Sequence, residues 1–292
     1  MADPAATAGA PGARALLDRR WLRVAAFGIG YFLLCRAGDE LHAAGSDFAV
    51  FWPASGAFLA VLLLTALTDW GWYALVVVAA EVVAGLVFDR PAPLALAYGG
   101  ADVVEAVAGA LLVRRAWTSG SPGPRRVLDL LWLLVLGCGA AAGLGALAGA
   151  LSYQVVGSGR GTFTGLWLQW WACDALGVLL VAPAILGWVG WTPPARAAAL
   201  RRVPEGLLLA AVTLGTALLT FGPGGVVHLE RGYLLVPALG WAAFRFGLRG
   251  ASALGATLAA LSAWTIARAP GVGAPELAVH TTVQVQLLLA VC

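Results

Sequence analysis

The chain has 292 residues, of which 61% are hydrophobic and 11% charged, with mean hydropathy +0.86 and formal net charge +3. A soluble domain carries roughly a quarter of its residues as charges, so this composition excludes a chain whose surface lies wholly in water. All the basic residues are Arg and none forms a basic stripe on a soluble face, which excludes a nucleic-acid partner and leaves the lipid bilayer as the surrounding medium.

The first twenty residues are rich in Ala, Gly and Pro, carry Arg14, Arg19 and Arg20, and read as a disordered tail, with residues 21–292 forming one membrane domain. No small-residue cleavage site follows the first apolar run, which argues against a signal peptide. From there, continuous apolar runs rich in Leu, Ala, Val and Gly recur, each near the ~20 residues that span a hydrocarbon core. Continuous rather than alternating runs predict helices and not a barrel. The expected fold is all-α, a polytopic helical bundle of eight to ten spans. The ten candidates lie at 22–43, 50–67, 71–88, 93–113, 127–151, 165–190, 204–221, 232–247, 250–267 and 277–292. The turn at Phe246-Gly247-Leu248-Arg249-Gly250 reads as either a loop or a re-entrant break.

With a cytoplasmic amino terminus and ten alternating spans, thirteen of the eighteen basic residues fall inside; Arg36, Arg90, Arg160, Arg231 and Arg268 fall outside. The positive-inside rule therefore predicts that both ends are cytoplasmic. The last run ends while still apolar, the pattern of a chain that continues into a cytoplasmic domain. Pro53-Ala54-Ser55-Gly56, Pro183-Ala184 and Pro237-Ala238-Leu239-Gly240 form a faint echo of the repeats found in transporters.

Ionisable residues in lipid are costly and mark function or structural pairing. Arg36, Asp39 and Glu40 lie on the outer part of the first span, Glu81 within the third, Asp102 and Glu105 within the fourth and Asp174 within the sixth. Asp102 and Glu105 share one helical face with Tyr98 and Gly109. Two carboxylates so close in a low dielectric need a proton or a cation; Arg36 is the expected partner and Arg245 the second. Trp167, Trp170 and Trp171 lead to Asp174, and such a row either lines a pocket for an amphipathic or cationic ligand or forms an interfacial belt. The candidate ligand site is thus Arg36, Asp39, Trp52, Glu81, Asp102, Glu105, Trp170, Asp174 and Arg245. The bland alternative is a set of ion pairs that only fix helix register.

His42, His228 and His280 all fall on the outer side and give a weak metal signal. Cys35, Cys138, Cys173 and Cys292 are scattered without metal or disulfide spacing. Neither a metal nor another cofactor is expected. Gly137 to Gly149 reads as close helix packing and not as phosphate binding. Cys173 beside Asp174 is the nearest thing to a nucleophile and base, so an embedded enzyme is the weakest reading and no catalytic residue is nominated.

Three ordered stretches carry a resemblance: Phe51 to Ala57, Trp170 to Pro183, and Tyr233 to Pro237 with Trp241 to Gly247 and Arg249-Gly250. Together they resemble the membrane-associated sensor domains of MASE type, first class, over about Trp21 to Cys292. The segment Asp102 to Arg115 fits that pattern too, with Asp102 where the pattern has Asn. The resemblance implies a bacterial inner-membrane sensory input module, and the candidate site is then expected to bind a small molecule or respond to an accessory membrane protein. It also implies control of a carboxyl-terminal histidine kinase or diguanylate cyclase, in two-component or cyclic di-GMP signalling, with dimerisation through the full-length protein. The alternative is a transporter that uses the buried charges as a substrate or proton relay.

Overall fold

The computed structural model describes residues 13–40, 49–117, 123–124, 126–157, 161–189, 196–221, 229–267 and 286. These residues are almost entirely helical, and no strand occurs among them. The chain is an all-α membrane bundle. In order, α1 is Ala13–Asp39, α2 Pro53–Leu64, α3 Trp70–Val87, α4 Ala92–Ala116, α5 Val127–Trp132, α6 Ala142–Val156, α7 Phe163–Leu186, α8 Arg196–Phe221 and α9 Leu235–Ala267. A π-helical stretch, Leu133–Ala141, joins α5 to α6 without a break.

Five of these segments are long and apolar enough to cross a membrane: Leu67–Val87, Ala92–Ala116, Val127–Val156, Phe163–Leu186 and Leu200–Thr220. Of the expected segments, α2 is short at 12 residues. The tenth lies outside the described residues except for Gln286. The helix α1 begins at Ala13, inside the expected disordered tail. Its Ala15-Leu16-Leu17 run favours helix, and Arg20 is anchored to Asp69 by a 2.9 Å ion pair.

The outside of the bundle is that of a lipid-facing protein. Large apolar side chains such as Leu22, Ile29, Leu86, Leu207 and Leu218 are exposed, while Glu81, Asp102, Glu105 and Asp174 are buried. The eighth and ninth expected segments are the two halves of α9. Gly247, at φ 65° and ψ −160°, breaks the helix between them. Leu235 and Leu239 of the first half share an apolar cluster with Leu258 of the second. Residues so far apart on a straight helix would be separated by about 30 Å, so the chain reverses at Gly247.

The tightest contact joins α2 to α7. Pro53 opens α2 at a position where its missing N–H costs nothing, and the Trp52 N–H donates to the Cys173 carbonyl at 3.1 Å. Gly56 and Gly177 meet backbone to backbone there, because a methyl on Gly177 would overlap the Trp52 carbonyl and one on Gly56 the Gly177 carbonyl. At the other end of α2 the Arg114 guanidinium closes the helix. It donates to the carbonyls of Leu62 at 2.6 Å, Leu63 at 3.1 Å and Thr65, and stacks over Trp70. Terminal carbonyls with no intrahelical partner must be satisfied in this way when water is absent.

Gly177→Ala is expected to lower stability by about 3 kcal/mol through overpacking against backbone. Gly100→Ala, whose added methyl meets nothing within 4 Å, is expected to be near neutral. Thermal unfolding of the two variants in detergent checks the contrast.

Candidate functional site

A cavity of about 570 Å³, including the part open to solvent, enters the bundle at the end where α1 stops, α2 starts and α3 turns into α4. It is lined by Asp39, Ala49, Trp52, Glu81, Arg90, Tyr98, Asp102, Tyr153, Trp170, Cys173 and Asp174. Antiparallel alternation explains the convergence, since the carboxyl ends of α1, α3 and α6 and the amino ends of α2, α4 and α7 share one end of the bundle. The clustered arginines (Arg19, Arg20, Arg23, Arg114, Arg115, Arg201 and Arg202) lie toward the opposite helix ends.

Arg90 is aimed inward by the turn that ends α3. Asp89 adopts a left-handed backbone at φ 54°, and the Arg90 N–H returns to the Gly85 carbonyl at 2.8 Å. That is the six-to-one closure of a Schellman motif, here with Asp where Gly is usual. Pro91 then starts α4. The Arg90 guanidinium reaches Asp39 at 3.4 Å and Glu81 at 3.7 Å, and lies 5.2 Å from the centre of the Tyr98 ring.

Glu81 and Asp102 share Tyr31. Its hydroxyl lies 2.7 Å from Asp102 Oδ2 and 3.4 Å from Glu81 Oε1, so it donates chiefly to Asp102. Glu81 Oε1 also accepts from the Cys35 thiol at 3.1 Å. Deeper in, Ser55 Oγ donates to Asp174 Oδ1 at 3.1 Å. Asp174 Oδ2 and both Glu105 oxygens are buried without a well-formed hydrogen bond among the described residues, although Ser55 stands beside Glu105 and Trp170 beside Asp174. Glu105 lies against Asp174, both almost wholly buried. Two carboxyl groups in such contact cannot both stay ionised without a proton or a cation between them.

Small residues make the room. A methyl on Gly145 would come within 2.6 Å of Glu105 Cβ, and one on Gly149 within 2.6 Å of the Trp170 ring. The three tryptophans of α7 divide their work. Trp170 faces the cavity, edge-on to Tyr98 with ring centres 4.7 Å apart. Trp167 and Trp171 turn to the neighbouring helix and donate to the carbonyls of Gly143 at 2.9 Å and Cys138 at 2.8 Å. The Cys138 carbonyl sits in the π-helical stretch, where the hydrogen-bond ladder is disturbed.

Of the residues expected from sequence, Asp39, Trp52, Glu81, Asp102, Trp170 and Asp174 line this cavity. Glu105 stands directly behind Asp174. Arg36 and Arg245 do not join them. Arg36 pairs with Glu40 one helical turn on, at 2.8 Å, and stacks on Phe88 with both charged side chains about half exposed (43% and 53%). Arg245 lies near the Gly247 break, held bidentately by Glu205 at 2.5 and 2.7 Å. For Arg36 depth along the span ignores which way the helix faces, whereas Arg245 sits beside Glu205 at the Arg-rich end, away from the cavity. The cation that the sequence reading missed is Arg90. Its signal was an Arg at the Arg-poor end, in a turn just before Pro, with a stem long enough to reach back inward. Tyr31, Cys35, Ser55 and Tyr153 were missed as well, none being charged. His42, His228 and His280 lie outside the described residues, as does Cys292. No cluster of metal-ligating side chains occurs among the described residues.

A family model, MASE1, matches residues 23–292, nearly the whole chain. The chain belongs to the MASE1 family. This is the family that the ordered stretches resemble, and its members are membrane sensory input domains, not catalytic by themselves. No curated protein and no solved structure matches the chain. In this MASE1 domain two of those stretches meet at the cavity: the Trp52 backbone hooks onto Cys173, and Ser55 touches Asp174.

Tyr31→Phe keeps the ring packing but leaves Asp102 Oδ2 without its closest donor. It is expected to cost about 1–3 kcal/mol, read as a lower midpoint of thermal unfolding.

Proposed function

We propose that this MASE1 domain is the input module of a bacterial inner-membrane receptor, and that the cavity built around Asp174, Asp102 and Arg90 is its sensing site. Occupancy by a small ligand, or contact with a membrane partner, biases the helix arrangement and so regulates a carboxyl-terminal histidine kinase or diguanylate cyclase. The observation that carries this reading is the convergence of buried, partly unpartnered carboxyl groups on one open cavity at the Arg-poor end of the bundle. By the positive-inside rule that end faces away from the cytoplasm, which gives the site access to extracytoplasmic solutes.

The packing around the cavity wall supports this reading. The Gln286 side-chain amide donates to the Val50 carbonyl at 3.0 Å, two residues before Trp52 in the cavity wall. Val50 and Phe51 also pack with Leu176 and Leu180 of α7 and Ala259 and Ala263 of α9. A ligand shifts such an assembly only by its differential affinity for two arrangements, and a wall where α7, α9 and Gln286 meet Val50 and Phe51 is where such a difference would be felt.

In the full-length protein in its native membrane, Asp174→Asn and Gln286→Leu are each expected to change kinase or cyclase output at least about threefold, with insertion and abundance unchanged. Wild-type output from both variants removes this cavity from the signalling path. Cysteine labelling with a membrane-impermeant reagent at an introduced Asp89→Cys, reactive from outside in whole cells, checks the orientation.

A further inference from the structure

The character of the cavity narrows its ligand. Asp39, Glu81, Asp102 and Asp174 contribute carboxyl groups to its wall, and Glu105 adds a fifth directly behind. Among the described residues only Arg90 is ion-paired into this group, and it stands on the Asp39–Glu81 side. The Asp174 side carries the opposite imbalance: Asp174 lines the cavity with Glu105 behind it, and three of their four oxygens are buried without a well-formed hydrogen bond and with no cation paired to either group among the described residues. The Trp170 ring stands beside it, and the cavity wall continues through Tyr98, edge-on to Trp170, and Trp52, whose ring packs on Gly38. Unsatisfied buried acceptors of this kind are costly, and aromatic faces attract cations.

We propose that the Asp174 side of the cavity binds the ammonium head of a small primary amine, with its short apolar body against Trp52 and Trp170. A primary ammonium brings the positive charge and three N–H donors in one group. A quaternary ammonium brings the charge without the donors, and an alcohol brings a donor without the charge. An anion would have to displace Asp39 and Glu81 from Arg90. This inference rests on the cavity being the sensing site, but the ligand class and the sensing role fail separately.

The test uses the chain purified into lipid nanodiscs. It is titrated with n-propylammonium chloride at constant ionic strength, followed by tryptophan fluorescence and by calorimetry. Saturable binding is expected, at least about tenfold tighter than that of tetramethylammonium or n-propanol, with no saturable binding of propionate. Asp174→Asn is expected to weaken the propylammonium affinity at least about tenfold. Gly100→Ala, which lies outside the cavity lining and whose added methyl meets nothing within 4 Å, should hold it within about threefold. The proposal is overturned by absence of saturable propylammonium binding to the wild-type chain up to about 50 mM. Equal affinity for propanol, preferential binding of propionate, or an unchanged affinity in a folded Asp174→Asn would overturn it too. The first three readings need no variant, so a misfolded Asp174→Asn leaves the proposal falsifiable. Failure of amine binding while Asp174→Asn still alters output discards the ligand class and keeps the sensing site. Amine binding with no effect on output does the reverse.

Discussion

Carboxyl groups buried inside an apolar bundle set the terms for this fold. Outside, the surface is apolar; inside, Glu81, Asp102, Glu105 and Asp174 each sit below a tenth of their accessible surface. So little of each is left accessible that most of their donors come from neighbouring helices. Tyr31 and Cys35 come from α1, Ser55 from α2 and Arg90 from the turn between α3 and α4. Each of these bonds joins two helices, and together they fix how α1, α2, α3, α4 and α7 are rotated about their own axes. Apolar packing alone would specify those rotations weakly, because the lipid tails are as apolar as the leucines.

The same requirement governs the backbone. Where the chain leaves regular helix, a side chain arrives to satisfy what is exposed. Arg114 covers the last carbonyls of α2, Trp171 takes the Cys138 carbonyl of the π-helical stretch, and Arg249 donates to the Gly187 carbonyl at 2.5 Å just past the end of α7. Trp117 donates to the Asp129 carbonyl at 3.0 Å, while Asp129 receives the Arg126 N–H at the start of α5. Irregular backbone at membrane depth is tolerated where protein covers it. The arginines and tryptophans that orient the chain by composition therefore also close its helix ends.

Much of this was legible in the sequence. Nine of the ten expected segments correspond to helices or half-helices, the Gly247 break fell where Gly-Leu-Arg-Gly announced it, and the Gly-rich run packs closely as expected. Six of nine candidate residues line one cavity and Glu105 backs it, because carboxylates are expensive enough in lipid to reveal that they face inward. Partners were harder to read. A residue's depth follows from counting along a helix, but its facing depends on helix rotation, which a single sequence leaves open. Arg36 and Arg90 lie toward the same end, and what separates them is a left-handed Asp89 and a return bond to Gly85 that turn Arg90 inward. Neutral hydrogen-bonding groups such as Tyr31 leave no such trace, since a tyrosine in an apolar helix is unremarkable until its hydroxyl is placed.

The proposed sensing role turns on where the unpartnered oxygens lie. Were the five carboxyl groups fully neutralised by fixed arginines, the assembly would be a set of register-setting pairs with one preferred packing. Arg90 instead compensates one side and leaves Asp174 and Glu105 uncompensated at the α2–α7 crossing. That crossing is where glycines bring two backbones into contact, and where the wall passes directly to α9 and Gln286. A charge arriving beside Asp174 changes the electrostatic cost of holding α2 against α7, at a contact with no side-chain slack to absorb the difference. A buried imbalance placed on a rigid seam is thus better suited to conveying a binding event than to stabilising the fold.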